Sequence, residues 1–428
     1  MVALTALATA GGGVAIHQRN LAREAGRVAE ARELALLGVA SRVTEPYAAV
    51  ALGAAAERIH ADDQTRAALA ETVIAGRQAG FRGTSVVAAM AMSADGQTAL
   101  IADQNLGVAL WDLSPSGGPG LHLGSVRAGV LESRAAVRAV ALSTDGRIAL
   151  LGHDDDTASL WDTADHDRPV RTATLEGGPA RQAVLSADRK TTLLGYENGS
   201  VGVWDIAVPA RPALAATLAG DGSDLRGLGL SADGRTAVTL SGRAATVWDL
   251  SDRARPVRHR SLDRGDTASA GVAVTSDGRI ALVGSELWDV SEAASPRRLG
   301  ALPGLRKAVS SAALTPDGSR AVTAETDGRT VLWDLEDRAR PSLMTVLKAP
   351  VTHLDEVALS ADGRIALVAT AAAGVLSWDL TGITGDPLHD ACGRDGRLPI
   401  TRARWNDLTD GEPWPDSFGD GDSFDPCA

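Results

Sequence analysis

Seven Trp-Asp dipeptides recur along this 428-residue chain: Trp111-Asp112, Trp161-Asp162, Trp204-Asp205, Trp248-Asp249, Trp288-Asp289, Trp333-Asp334 and Trp378-Asp379. Their spacings are 50, 43, 44, 40, 45 and 45 residues, and seven of the nine Trp in the chain hold this one place. A period of roughly 40–45 residues is the length of one supersecondary unit that cannot bury its apolar face alone and must stack on copies of itself. The repeat therefore constrains the fold before any other residue is weighed.

A second signature keeps the same phase. Ser93-Ala-Asp-Gly96, Ser143-Thr-Asp-Gly146, Ser231-Ala-Asp-Gly234, Thr275-Ser-Asp-Gly278, Thr315-Pro-Asp-Gly318 and Ser360-Ala-Asp-Gly363 precede six of the Trp-Asp pairs, while the remaining unit reads Ser186-Ala-Asp188-Arg189 and lacks the Gly. Asp-Gly between two apolar runs signals a hairpin, because the tight turn needs positive φ and Gly supplies it at little cost. The flanking runs, such as Val86 to Met92 before the turn and Ile148 to Leu151 after it, have the composition of buried strands. Each unit thus reads as strand a, the Asp-Gly turn, strand b, a polar turn, strand c ending in Trp-Asp, and an outer strand d. Asp167-Arg-Pro169, Asp252-Arg-Ala-Arg-Pro256 and Asp337-Arg-Ala-Arg-Pro341 lead into strand d, where a Pro at an edge removes no ladder donor. Each Trp is expected to wedge apolar area between neighbouring units.

These residues resemble the WD-repeat family over about 300 of the 428 positions. The resemblance implies a mainly β fold: a seven-bladed WD-repeat β-propeller with an N-terminal α-helical arm and a short C-terminal tail module. The expected boundaries are an apolar segment at 1–18, the helical arm at 19–76, the propeller at 77–382 and the tail with two Cys at 383–428. No good outer strand follows Trp378-Asp379, so residues near Phe81 are expected to complete the last blade. Two departures stand out. The Gly-His dipeptide usual before strand a is absent throughout, which puts the buried His–Asp network of many WD blades in doubt. The fifth unit is also short between Ile280 and Trp288, so its b–c hairpin must be a stub.

Formal net charge is −12 and only three Lys occur, which argues against a general nucleic-acid binder. Cys392 and Cys427 lie beyond the repeats with no C-x-x-C or Cys/His set around them, so zinc is disfavoured. They are a candidate disulfide pair, with two free thiols as the alternative. Residues 2–16 carry no charge but fall short of the roughly 20 residues that span a bilayer. They read as a candidate membrane segment or a frayed apolar tail, placing the chain at a membrane or in the cytoplasm. His17 to Val43, Pro46 to Ile59 and Gln64 to Ala75 have helical patterns, the first broken by Thr44-Glu-Pro46.

The arm and the tail add a second resemblance. An apolar segment ending in Gln18-Arg-Asn20, an Arg/Glu/Ala helix and a Pro-led Ala-rich helix look like the region joining ATPase and sensor parts in actinobacterial NACHT/STAND-type signalling ATPases. Asp386 to Arg394, Leu398 to Trp405 and Pro426-Cys427 resemble the short module that closes those proteins. In that family the propeller senses and a nucleotide switch responds. Here no G-x-x-x-x-G-K-[ST] occurs, and Lys190, Lys307 and Lys348 lack a glycine-rich setting. The start inside an apolar segment fits a truncated or split relative, or a shortened gene model.

No catalytic, cofactor-binding or metal-binding set is expected, and no cofactor. His153-Asp154-Asp155-Asp156 reads as a solvated b–c turn. Asp416 to Asp425 lacks the order and the closing Glu of a calcium loop and reads as a disordered or loosely packed acidic end. What remains is surface. Loops entering strand a and the b–c turns share one face and carry Arg134, Arg181, Arg226, Arg264, Arg306, Lys307 and His353, with Asp224 and Asp266 between them. Converging Arg would suit an acidic peptide or carboxylate partner; ordinary solubilising charge is the bland alternative. The reading that emerges is a non-catalytic interaction or sensor module in bacterial signalling, with protein partners, no nucleic acid, a monomeric propeller and a candidate membrane tether. Its rivals are an accessory subunit of a separately encoded STAND-type ATPase and a propeller enzyme with a channel-mouth site.

Overall fold

The computed structural model describes residues 2–42, 44–75, 77–81, 86–103, 107–115, 123–131, 133, 135–265, 268–348, 354–370, 374–393, 397–409 and 413–428, with side chains described from residue 18 onward except at 114–115, 123–129, 348 and 354–355. The chain divides into two compact units, residues 77–381 and residues 1–76 with 382–428.

The first unit is a propeller of seven four-stranded antiparallel sheets. In the fourth, strands a to d are Leu225–Leu230, Thr236–Ser241, Ala244–Asp249 and Val257–Leu262, paired in that order. The seventh sheet is closed by the other end of the unit. Gln78–Gly80 pairs with Gly374–Asp379 in the register Gln78↔Trp378 and Gly80↔Leu376. Phe81 then donates its N–H to Val375 O at 3.0 Å and sets its ring edge-on to Trp111, 5.4 Å between centroids. One segment thus supplies the last ladder and part of the core between blades seven and one. Blade five has the expected stub: Ile280–Val283 and Glu286–Asp289 are joined by Gly284 and Ser285 alone.

The a–b turns show why the Ser-x-Asp-Gly signature recurs. In all seven the Ser or Thr hydroxyl bonds the Asp Oδ1, from 2.5 Å at Ser186–Asp188 to 2.7 Å at Ser143–Asp145. Gly96, Gly146, Gly234, Gly278, Gly318 and Gly363 all sit at φ between 67° and 71°. Arg189, where the Gly is missing, still adopts φ 58°. Its guanidinium reaches Asp145 of the preceding blade at 2.8 Å.

The second unit begins with α1 (Val2–Ser41), α2 (Pro46–Ile59) and α3 (Asp63–Ala75). The apolar segment is helical and continuous with the pattern from His17, forming one α1. Small residues set the packing: a Cβ on Gly38 would lie 2.9 Å from Ala49 O, and one on Gly53 would lie 3.1 Å from Leu69 Cδ1. Asp62 caps α3 by accepting from Thr65 N at 2.8 Å and Gln64 N at 2.9 Å; with the Thr65 bond as the largest cause, its carboxyl is held at about 2.

The tail belongs to this unit and is not the loosely packed acidic end its composition suggests. It forms α4 (Pro387–Cys392), a short strand Ile400–Thr401, α5 (Arg402–Thr409), a 3₁₀ turn Asp416–Phe418 and a strand Ser423–Phe424 that pairs with Ile400–Thr401. Phe418 stacks on Phe424 at 4.3 Å, with Trp405 and Trp414 edge-on to Phe418. Cys392 and Cys427 are joined, Cα–Cα 5.5 Å. On the helix side, Arg58 donates to Pro426 O at 2.8 Å, Ser417 Oγ to Glu30 at 2.5 Å, and Arg404 pairs with Glu45. Aromatic area and these clasps order a segment whose charge alone would leave it solvated.

Candidate functional site

The Trp-Asp pairs build the propeller. All seven indoles are buried. Trp161 packs among Leu100 and Leu110 of blade one, Trp204 among Leu150 and Leu160 of blade two, and Trp333 among Leu282 and Leu287 of blade five. Trp111, Trp248 and Trp288 pack in the same way, so six of the Trp cover the blade before their own. The Asp closes the turn after strand c, as where Asp249 Oδ1 accepts from Ser251 N at 2.8 Å and Asp334 Oδ1 from Glu336 N at 2.8 Å. At Asp249 and Asp289 the following Ser holds the carboxyl below the usual range. Several of these Asp also reach the next blade's linker: Asp112 meets His166 at 2.8 Å and Asp205 meets Arg253 at 3.0 Å.

Without Gly-His, the indole N–H groups find other acceptors. Trp248 bonds Thr239 and Trp333 bonds Thr323, each at 2.9 Å from strand b. Blade two builds a relay: Trp161 Nε1 donates to Ser159 Oγ at 2.9 Å, and His153 Nε2 lies 2.9 Å from the same oxygen. His153 is therefore buried in the blade, not part of a solvated turn; only Asp154, Asp155 and Asp156 are exposed. Burial pushes the His153 imidazole below its ordinary value, which keeps it neutral near pH 7 and suited to packing. Among the described residues no group of three or more His, Cys, Asp or Glu could hold a metal ion.

A different feature gathers side chains at one place. In six blades strand a carries a β-bulge at its second residue, seen where Val137 faces His153 and Ala139 faces Gly152, leaving Arg138 extra. The same irregularity singles out Ala88, Arg181, Arg226, Ser310 and Asp355. A bulge bends its strand and re-aims the extra side chain. Strands a from all seven blades line one cavity of about 260 Å³ at the centre of the propeller, and Arg138, Arg181 and Arg226 are on its wall. These three come from consecutive blades. Arg138 has Asp154 at 3.8 Å, Arg181 pairs with Glu197, and Arg226 donates to Ala268 O at 2.6 Å.

In three blades the residue after the bulge ties its blade to a neighbour. Gln182 Nε2 donates to Arg226 O at 3.0 Å, Val357 N donates to Ser311 Oγ at 3.2 Å, and Met90 N donates to Glu356 Oε2 at 2.6 Å. At Gly227 the next blade approaches closely: a Cβ there would lie 2.4 Å from Val272 Cγ2.

Of the basic residues expected on this face, Arg181 and Arg226 line the cavity. Arg134, His353 and the intervening Asp266 lie outside the described residues. Arg264 corrects the surface reading: it is 8% exposed and donates to Ser269 O at 3.1 Å. Arg264 lies in the connection entering blade five, whose neighbour Gly265 donates to the buried Glu286 beside the stub hairpin. Arg306 and Lys307 are exposed but away from the cavity wall, and their main-chain N–H groups both bond Glu325 at 2.7 Å. Arg181 and Arg226 stand within strand a and not in the loops that enter it, at the same bulge position as Arg138, which the sequence reading did not single out. The signal was present, since Arg138, Arg181 and Arg226 each stand five residues before the Ser of Ser-x-Asp.

A model of the "WD domain, G-beta repeat" matches residues 297–334, from strand d of blade five to the Trp-Asp of blade six. No curated protein matches the chain. Among solved structures, a chain of the "Crystal Structure of Mitotic Checkpoint Complex" superposes with a TM-score of 0.56 at 18% identity, covering 71% of this chain and 93% of that one. At that identity the likeness concerns the fold alone. Among the described residues no helix is long and apolar enough to cross a membrane. The chain carries the WD repeat and folds as a seven-bladed β-propeller.

Proposed function

We propose that this chain is a non-catalytic interaction module that receives a protein partner at the channel mouth on the face of the b–c turns. The observation that carries the reading is the recurrent strand-a bulge, which turns side chains from successive blades toward one cavity. A platform assembled from seven separate strands presents a composite surface that no single blade could specify. The residues on the wall suit recognition better than chemistry: among those described, Glu356 is the one carboxylate there, and it accepts the Met90 N–H. A general acid or base needs a free, positioned proton-transfer group.

A finer reading places the module in bacterial signalling, as a sensor working with a separately encoded ATPase. What favours it is that the arm and the tail, the two segments resembling those ATPases, form one folded unit. A neighbouring reading frame with a P-loop would support this second reading.

The first reading is tested with the full chain carrying a photo-crosslinking residue at Ser310 on the channel wall, or at exposed Val257 on an outer strand. In extracts of the source cell, a protein crosslinked from Ser310 and not from Val257 is the expected result. No crosslink from Ser310, or equal crosslinks from both, overturns it.

A further inference from the structure

The interaction reading leaves open what enters the channel, and the wall chemistry points to one class. We propose that Arg138, Arg181 and Arg226 form an arc that takes the carboxylates of an acidic, extended peptide segment; the inference rests on the interaction reading above.

The arc is a product of the repeat. Three consecutive blades place Arg at the same bulge position, whereas blades one and six carry Ala88 and Ser310 there. Blade seven carries Asp355 at that position and Glu356 on the wall, so the cationic arc is confined to blades two to four, where an incoming carboxylate is drawn away from the acidic blade. A cavity of about 260 Å³ admits side chains and a strand-like segment, not the surface of a domain.

Arg is the residue type suited to this task. Its planar fork matches a carboxylate in bidentate fashion, and it carries five N–H donors. The chain itself shows that the geometry works, because Arg138 lies against Asp154 and Arg181 against Glu197. Those internal pairs are half-exposed at 45%/42% and 51%/48%. Pairs of that kind hold weakly, so an incoming carboxylate can share or displace them.

The net charge of −12 repels an acidic ligand elsewhere on the molecule, which makes attraction local to the arc. Single-stranded nucleic acid is the competing polyanion. It binds through aromatic stacking platforms as well as charge, and among the described residues no aromatic side chain lines this cavity.

The test is fluorescence anisotropy of a labelled hexaglutamate peptide with the full chain. Replacing all three arc residues (Arg138→Ala, Arg181→Ala, Arg226→Ala) is expected to weaken binding by about tenfold or more. A charge-matched control (Arg168→Ala, Arg211→Ala, Arg255→Ala) removes three exposed Arg of the Pro linkers and is expected to leave binding within about twofold. Should the triple variant fail to fold, Arg181→Ala alone, at an exposed side chain, is expected to cost about threefold. Equal losses in arc and control variants, no loss in the arc variants, or tighter binding of oligo(dT) than of hexaglutamate overturns the proposal. Crosslinking from Ser310 that survives the arc substitutions removes the acidic ligand and keeps the interaction module. Absent crosslinking removes the module itself.

Discussion

The propeller and the arm–tail unit are held together by opposite strategies. In residues 77–381 the same short-range devices recur from blade to blade: a Ser–Asp or Thr–Asp bond in all seven a–b turns, a buried Trp in all seven strands c, and in six blades an Asp closing the next turn. In residues 1–76 with 382–428 nothing repeats. That unit depends on single long-range ties, Arg58 to Pro426 and Glu45 to Arg404 across more than 350 positions, and on one disulfide. Repetition spreads stability over many equivalent contacts, so one loss is diluted. A unit of unique contacts has no such reserve.

The largest test of this contrast is the disulfide. Opening Cys392–Cys427, with a sequence separation of 35, by Cys392→Ser with Cys427→Ser frees loop entropy in the unfolded chain. The expected cost is about 3–4 kcal/mol, confined to the arm–tail unit. Hydrogen exchange should show lost protection in α4 and α5 with the blade strands unchanged. Matching losses in the blades would mean that the two units are not energetically separate.

Repetition also makes the propeller legible in the amino-acid sequence. Seven copies of Trp-Asp and Ser-x-Asp specify blade number, turn positions, the stub of blade five and the need for a closing strand near Phe81, because each inference uses neighbours a few residues apart. The fold of the tail could not be read this way. The stacking of Phe418 on Phe424 and the clasp by Glu30, Glu45 and Arg58 depend on partners that the linear order separates. At the channel, Arg181 and Arg226 were legible as basic residues near one face. Their convergence with Arg138 was not, since all three lie in strand a and only the bulge re-aims residues that an unbroken strand pattern assigns to the ladder. The burial of Arg264 was also hidden, being set by three-dimensional packing beside the shortened hairpin.

A smaller effect probes how the repeat absorbs a defect. Gly234 sits at φ 70°, and a Cβ there would lie 2.8 Å from Thr191 Oγ1 of the preceding blade. Gly234→Ala therefore meets both a strained backbone and a full site, and is expected to cost about 2 kcal/mol. Arg189 already bears the strain at φ 58° and offsets it through Asp145. Arg189→Gly relieves the backbone but loses an exposed ion pair and loosens the unfolded chain, so the net change should stay within about 0.5 kcal/mol. In high salt, where the pair is screened, the Gly variant should become the more stable one. Denaturant midpoints at two salt concentrations measure both; a large loss in Arg189→Gly would show that the ion pair matters more than the turn.

The smallest effect asks whether the repeat can be improved by copying it into itself. Strand b places one residue two positions beyond the Ala that faces each of these Trp. In blades four and six that residue is Thr239 or Thr323, and its hydroxyl accepts the indole N–H at 2.9 Å. Blade seven has Val368 there, with Ala366 opposite Trp378, and the Trp378 Nε1 is buried without an acceptor. Blade five repeats the defect with Val283 and Trp288. Thr is nearly isosteric with Val, so Val368→Thr adds an acceptor with no change in volume. Satisfying a buried donor is worth about 1 kcal/mol, against the cost of burying one hydroxyl that is now bonded. The expected outcome is a gain of about 1 kcal/mol in the denaturant midpoint analysis. The gain should vanish when Trp378→Phe is introduced alongside, because the donor is then gone. If Val368→Thr destabilises in both backgrounds, the hydroxyl is not reaching the indole, and blade seven differs from blades four and six in more than this one residue.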